Sequence, residues 1–240
     1  MNSIKIKDKV VLITGANRGI GNALLEEALK RGAKRVFAGT RLPFKHPDKR
    51  VVPLLLDITI AEQIQAAVEK VESLDILINN AGINLFGDLN DRDKIEQQLK
   101  VNFFGTYSMS QTFLPLLART NGAMVNNLSL LSLAPLPPVA SYSISKAAAH
   151  SLTQSLRVIW AKQGVRVHSV FTGPVDTDMN ILLRGLGIPM ASPESAAQNI
   201  LDGVENLEED IFPDPVSKAL AEGWNNSVVK AFERQNAEFE

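Results

Sequence analysis

Short, unbroken apolar runs recur along the chain, separated by longer stretches in which apolar residues return every three or four positions. The runs are Val10–Thr14, Arg35–Ala38, Val51–Leu56, Asp75–Ile78, Ala123–Leu128 and Val165–Val170, with a shorter one at Asp210–Phe212. Continuous apolar runs of this length predict strands buried on both faces. The amphipathic stretches near 20–31, 60–72, 91–118, 141–163 and 193–205 predict helices between them. Strands alternating with helices imply βαβ units, and right-handed crossovers wind these into a doubly wound, Rossmann-like parallel sheet. The expectation is an α/β fold of about seven strands with helices on both faces, forming a single domain over residues 1–240. Neither a repeat nor a linker interrupts it. The proline cluster at 134–138, APLPP, reads as a rigid loop.

Composition narrows the function. The 240 residues carry a net charge of −1, so no global field draws the chain to nucleic acid or to an anionic membrane. Cysteine is absent, which excludes disulfides, thiolate metal sites and a cysteine nucleophile, and fits a reducing compartment. The apolar run near the N-terminus is too short for a signal segment or a membrane span. A cytoplasmic location is therefore expected. His46, His150 and His168 are scattered without metal-ligand spacing, and no metal site is expected. Two sequons, at Asn127 and Asn225, read as chance matches.

Ligands of such sheets bind at the carboxyl ends of the strands. The first strand ends in TGANRGIG, residues 14–21. Gly15, Gly19 and Gly21 let the backbone turn tightly and approach a phosphate, and the following helix start offers free N–H groups. Their spacing differs from the G-x-G-x-x-G fingerprint, so the turn by itself points to a nucleotide only weakly. The second strand ends in Thr40 and Arg41, where an NAD site would place an acid. Arg41, joined by Arg18, suits a 2′-phosphate and favours NADP(H) over NAD(H). It equally suits the start of an exposed basic loop.

Further motifs fall in order behind this turn: Leu56-Asp57-Ile58, NNAG at 79–82, Val101-Asn102, Ser129, and Tyr142 with Lys146 four residues on. The offsets are 142 − 129 = 13 and 142 − 102 = 40. On these residues the chain resembles the short-chain dehydrogenase/reductase family over most of its length. The resemblance implies a catalytic set of Asn102, Ser129, Tyr142 and Lys146. It implies cofactor contacts from Gly15, Asn17, Arg18, Gly19, Ile20 and Gly21, from Thr40, Arg41, Asp57 and Ile58, and from Asn80, Ala81 and Gly82. Tyr142, Lys146, Gly173, Val175 and Thr177 complete the set. Two departures stand out. Thr172-Gly173 replaces the family's Pro-Gly after strand six, and Leu130 follows Ser129 where a second serine is common. Ser132 is a decoy at the wrong offset.

The chemistry explains the residue types. Hydride transfer to a carbonyl leaves charge on oxygen, and that oxygen needs a proton. An ammonium one helical turn from a phenol favours the phenolate, so Lys146 is expected to lower the pKa of Tyr142 and make it a tuned proton donor. Ser129 would stabilise the developing oxyanion. The resemblance implies that Lys146 also holds the nicotinamide ribose and that Asn102 holds a water linking Lys146 to solvent.

Residues 178–191, DMNILLRGLGIPMA, follow strand six, where the family places a substrate lid. Together with Leu133, Leu136 and Val139 they would make an apolar pocket, or else pack into the core. Arg184 is the one candidate clamp for a carboxylate. The reading is an NADPH-dependent carbonyl reductase or alcohol dehydrogenase acting on a small, apolar ketone or aldehyde. The alternative is an NADP-binding sensor or scaffold without turnover, and the intact Tyr–Lys set favours the enzyme. The family resemblance also implies a homodimer or homotetramer, paired through the helices near 103–118 and 141–163.

Overall fold

The computed structural model describes residues 4–86, 89–184 and 187–237. Seven parallel strands form one sheet in the order β3-β2-β1-β4-β5-β6-β7. They are β1 Val10–Thr14, β2 Arg35–Thr40, β3 Val51–Leu55, β4 Ile76–Asn79, β5 Ala123–Asn127, β6 Arg166–Val170 and β7 Asp210–Ile211. The strand order reverses between β1 and β4, so their carboxyl ends flank a crevice.

Successive side chains of a strand face opposite sides, and each run feeds two cores. Val11, Ile13, Ile76, Ile78 and Val125 pack under helices α1 (Gly19–Lys30) and α6 (Pro193–Glu205), against Leu24, Leu25, Ala28, Ile200 and Leu201. Leu12, Leu77 and Met124 face the other way, toward α2 (Ala61–Lys70), α4 (Thr106–Thr120) and α5 (Ala140–Ala161). There they meet Phe113, Leu117, Leu156 and Trp160. Burying one such side chain contributes roughly 1.5–3 kcal/mol. Residues with no polar partner requirement on either face explain why the strands read as unbroken runs.

The stretch expected as one helix near 91–118 is continuous in space but not uniform. Helix α3 (Arg92–Gln98) passes through a π-helical segment, Leu99–Gly105, into α4. The fourth strand begins one residue later than expected, because Asp75 uses its carboxylate on the Val10 N–H (2.9 Å) and on the Lys9 ammonium (2.9 Å) instead of entering a core.

Two helices were not foreseen, α7 (Pro215–Asn225) and α8 (Val228–Asn236). Asp214 starts α7 by accepting from the N–H groups of Val216 and Ser217 (3.1 and 3.0 Å). Helix α8 buries a lysine and exposes its apolar residues. Lys230 is 1% exposed and pairs with Asp210 (2.8 Å) and Glu233 (3.0 Å), whereas Val228 is 85% exposed. Arg157 of α5 joins the same cluster through Asp210 and Glu233, both at 2.7 Å. Burial works against a charge on Asp210, yet Arg157 and Lys230 together hold its carboxyl down at about 2.

Candidate active site

The β1–α1 turn is shaped by close approach. Gly15 takes a left-handed φ of 69°, and a Cβ on Gly21 would fall 2.0 Å from the Gly15 carbonyl oxygen. The first turn of α1 has no side-chain cap, so its leading N–H groups stay available to an anion. Asn80 braces the turn by donating its amide to the Thr14 carbonyl (3.0 Å), while Thr14 Oγ1 accepts from the N–H groups of Asn80 and Ala81 (both 3.0 Å). These features fit a dinucleotide phosphate. Thr40 is buried at the end of β2, its hydroxyl turned onto the Leu42 carbonyl (2.6 Å), and Arg41 begins an exposed segment. Asp57 accepts from the N–H (2.9 Å) and hydroxyl (2.7 Å) of Thr59, just before α2, and Ile58 is buried beside it.

Asparagines in pairs close β4 and β5, and strand alternation splits each pair. Asn79 and Asn126 are register partners that face α4 and α5; the Asn79 amide donates to Asn126 Oδ1 (2.9 Å), and the Asn126 amide to Thr153 (2.9 Å). Asn80 and Asn127 meet on the crevice side, where the Asn127 amide donates to Asn80 Oδ1 (3.0 Å). The Thr172 hydroxyl donates to Asn127 Oδ1 (2.5 Å), and the Lys146 ammonium to the Asn127 carbonyl (2.8 Å). Asn127 thus joins the bracing of the glycine turn to α5. Sequence reasoning treated it only as a chance sequon; its place immediately after Asn126 at a strand's carboxyl end was the available signal.

Tyr142 and Lys146 are buried on one face of α5, with the Lys146 Nζ 5.8 Å from the centre of the Tyr142 ring. A Cβ at Gly82 would lie 3.6 Å from that Nζ. Ser129 lies two residues beyond β5 and caps a 3-10 turn, Leu130–Ser132, accepting from the Leu131 N–H (3.1 Å), and its hydroxyl shares a hydrogen bond with Tyr142. Ser132 is not an alternative to it. Its hydroxyl donates to the Ser129 carbonyl and braces that corner. Asn102 sits inside the π-helical segment, where its side chain exchanges both hydrogen bonds with the Ile83 backbone (2.9 Å each) and donates to Ser145 (2.9 Å).

The electrostatics depart from the expected tuning. Burial pushes the Tyr142 phenol up to about 12, and only the hydrogen bond with Ser129 pulls it down. Burial also drives Lys146 down to about 8. Both groups are held toward their neutral forms by burial, and Lys146 is not among the groups that lower the phenol.

The segment after β6 is pinned at its base. Val175 is buried and bridges Ala191; the Gly173 N–H donates to Asp214 Oδ2 (2.7 Å). Thr172 therefore fills the place of the expected proline with a hydrogen bond to Asn127. Beyond Thr177 runs a 3-10 segment, Asp178–Leu183. Its apolar residues do not pack into the core: Ile181 and Leu182 are 54% and 60% exposed. Gly185 and Leu186 of the expected lid lie outside the described residues. Leu136 is exposed, Val139 is buried, and Leu133 packs toward Leu128 and Phe171, so only the first of the three faces open space. Arg184 pairs with Asp176 (2.6 Å), which occupies the expected carboxylate clamp. Arg18 pairs with Asp178 (3.2 Å), which draws its side chain to the start of the 178–183 segment.

The histidines stand apart from the site. His46 pairs with Glu26 (2.9 Å), and His168 meets the Glu208 carbonyl (2.6 Å) while burial takes it down to about 4. His150 packs between Phe171 and Trp224, and burial lowers it as well.

A parallel sheet with this strand order, a glycine turn into α1 and a buried Tyr-x-x-x-Lys define the short-chain dehydrogenase/reductase class, and the chain belongs to that family. The family model described as short chain dehydrogenase matches residues 9–184. Over 92% of its length the chain is 30% identical to Dehydrogenase/reductase SDR family protein 7-like from Anopheles gambiae, covering 79% of that relative. It is 32% identical to an uncharacterised oxidoreductase from Staphylococcus saprophyticus, over 74% of this chain and 82% of the relative. Among solved structures, a short chain dehydrogenase from Burkholderia cenocepacia in complex with NADP superposes with a TM-score of 0.87, at 35% identity, covering 97% of this chain and 98% of that one. The 3-ketoacyl-(acyl-carrier-protein) reductase from Brucella melitensis, complexed with NADH, shares the fold at 23% identity and a TM-score of 0.78, covering 87% of this chain and 98% of that one. The protein is therefore an NAD(P)-dependent oxidoreductase of this family.

Proposed function

We propose that the protein is an NADPH-dependent carbonyl reductase, able to run in reverse as an alcohol dehydrogenase, acting on small apolar ketones or aldehydes. The observation that carries this reading is the burial of Tyr142 and Lys146 beside Ser129 at the crevice that Gly82 and the uncapped start of α1 also line. A sensor without turnover has no use for a buried phenol hydrogen-bonded to a serine.

Gly15, Asn17, Arg18, Gly19, Ile20 and Gly21 would hold the pyrophosphate at the helix start. Thr40 and Arg41 would meet the 2′-phosphate, Asp57 and Ile58 the adenine, and Asn80, Ala81, Gly82, Gly173, Val175 and Thr177 the nicotinamide half. Bound NADPH supplies the hydride. Ser129 orients the substrate carbonyl oxygen and stabilises the charge developing there. Tyr142 delivers its phenolic proton to that oxygen. Its high pKa keeps the proton in place until the oxyanion, a stronger base, forms. Lys146 would hold the nicotinamide ribose and restore the proton on Tyr142, and Asn102 would anchor a water path behind it. The exposed Leu136, Ile181 and Leu182 give the substrate side its apolar character, and the pairing of Arg184 with Asp176 leaves it no cationic clamp. The NADP complex of the Burkholderia relative supports the choice of cofactor.

The test is NADPH consumption by the purified protein across a panel of aryl and alkyl ketones, aldehydes and keto acids. Turnover of apolar carbonyls supports the reading. NADPH binding with no turnover on any of them supports the sensor instead.

A further inference from the structure

Two carboxamides on one rod repeat a single pattern of contacts. Gln98, the last residue of α3, accepts from the Leu85 N–H (3.0 Å), donates to the Leu85 carbonyl (3.4 Å) and donates to the Ser141 hydroxyl (2.6 Å). Asn102 accepts from the Ile83 N–H, donates to the Ile83 carbonyl and donates to the Ser145 hydroxyl, each at 2.9 Å. The spacings match throughout. Residues 98 and 102 are one helical turn apart, as are 141 and 145, while 83 and 85 lie on one edge of an extended chain. Each carboxamide thus acts as a strand neighbour for the loop leaving β4 and also grips α5. Ser141 immediately precedes Tyr142, and Ser145 immediately precedes Lys146.

We propose that Gln98 is a positioning residue for Tyr142, fixing α5 at Ser141 and the 83–86 loop at Leu85 in the way Asn102 fixes them at Ser145 and Ile83. The proposal rests on the functional reading above. Gln98 is fully buried, and its amide uses both its N–H₂ and its oxygen, so a substitution of the same shape removes all three of its hydrogen bonds. The Leu85 N–H and carbonyl would then lose their partner, and the start of α5 beside Tyr142 would lose its tie to the loop. Small displacements of a reacting group can cost on the order of 10²-fold in rate.

The experiment compares wild type with Gln98→Met and Gln98→Glu. In Gln98→Met, kcat falls at least about tenfold, NADPH affinity stays within about twofold, and hydrogen-exchange protection is lost at Leu85 N–H while that of Ile83 persists. In Gln98→Glu the buried carboxyl is raised above its ordinary value. Once protonated it offers an acceptor and one O–H donor, which restores one of the two donations the amide makes. Its kcat relative to wild type therefore recovers as pH falls, a limb that a purely structural role would not create. An active wild type with Gln98→Met at undiminished kcat overturns the inference alone, as does a Gln98→Glu ratio that does not move with pH. A wild type without carbonyl reduction overturns the functional reading and this inference with it. Should Gln98→Met fail to fold, Gln98→Glu decides; failure of both makes Gln98 a fold residue and overturns the proposal.

Discussion

Lys146 donates its ammonium to the Asn127 carbonyl at 2.8 Å, and Asn127 in turn donates its amide to Asn80, which braces the glycine turn. One asparagine therefore couples the cation beside the phenol to the place where a dinucleotide phosphate fits.

The pH dependence follows from Lys146. Its ammonium is fully formed well below pH 8 and is lost as pH rises through about 8. Tyr142 keeps its proton to about 12. Reduction measured as kcat/KM should fall above about pH 8, and the falling limb should be absent from Lys146→Met, whose activity is low throughout. A plateau in the wild type extending to pH 10 would contradict the assignment.

The same shift makes a statement about stability. Folded Lys146 titrates near 8 and an unfolded lysine near 10.5, so between those values the unfolded state binds more protons. Stability then rises with pH, as the penalty for burying the ammonium is relieved. Measured against Lys146→Met, the wild-type Tm should gain between pH 8 and 10. A Tm difference independent of pH would show that burial does not depress this lysine in the folded protein.

Asp210 carries the C-terminal helices. Replacing it by asparagine leaves Arg157 and Lys230 to share Glu233, which should cost about 1.5–3 kcal/mol. Its carboxyl is held at about 2, below the ordinary 3.8, so the stabilisation is complete above about pH 4 and is lost as pH falls through 2. Thermal unfolding of Asp210→Asn at pH 7 checks the magnitude. A change under about 1 kcal/mol would mean that the cluster contributes no more than a surface pair.

Cofactor choice should rest on Arg41 more than on Arg18. Arg41 has no ion pair among the described residues, whereas Arg18 is engaged with Asp178. A charge-assisted hydrogen bond contributes roughly 1.5–3 kcal/mol. Arg41→Ala should therefore reduce the NADPH-to-NADH ratio of kcat/KM about tenfold or more, and Arg18→Ala by less. The reverse ranking would place the 2′-phosphate at the glycine turn.

Much of this molecule was legible in the sequence, for identifiable reasons. The strands carry apolar residues on both faces, so their runs are visible without alternation. The Tyr142–Lys146 spacing places two functional side chains on one helical face by geometry alone. The unforeseen parts are those where local pattern and tertiary environment disagree. Helix α8 inverts the usual rule, burying Lys230 while Val228, Val229 and Phe232 stay exposed, so its apolar stripe marks the wrong face. In and just before the π-helical segment, Asn102 and Gln98 reach the 83–86 loop, contacts distant in sequence. The upward shift of Tyr142 arises from burial by several elements together, which a single spacing cannot encode.

The central claim is that the Tyr142 phenol supplies the proton. Its most direct test is single-turnover reduction of an apolar ketone by NADPH in wild type and in Tyr142→Phe, with NADPH affinity measured on both proteins. Phenylalanine keeps the ring and removes the hydroxyl, so the account predicts a loss of about 10²–10⁴-fold in rate with NADPH affinity nearly unchanged. A Tyr142→Phe variant reducing the ketone within about tenfold of wild type would contradict it.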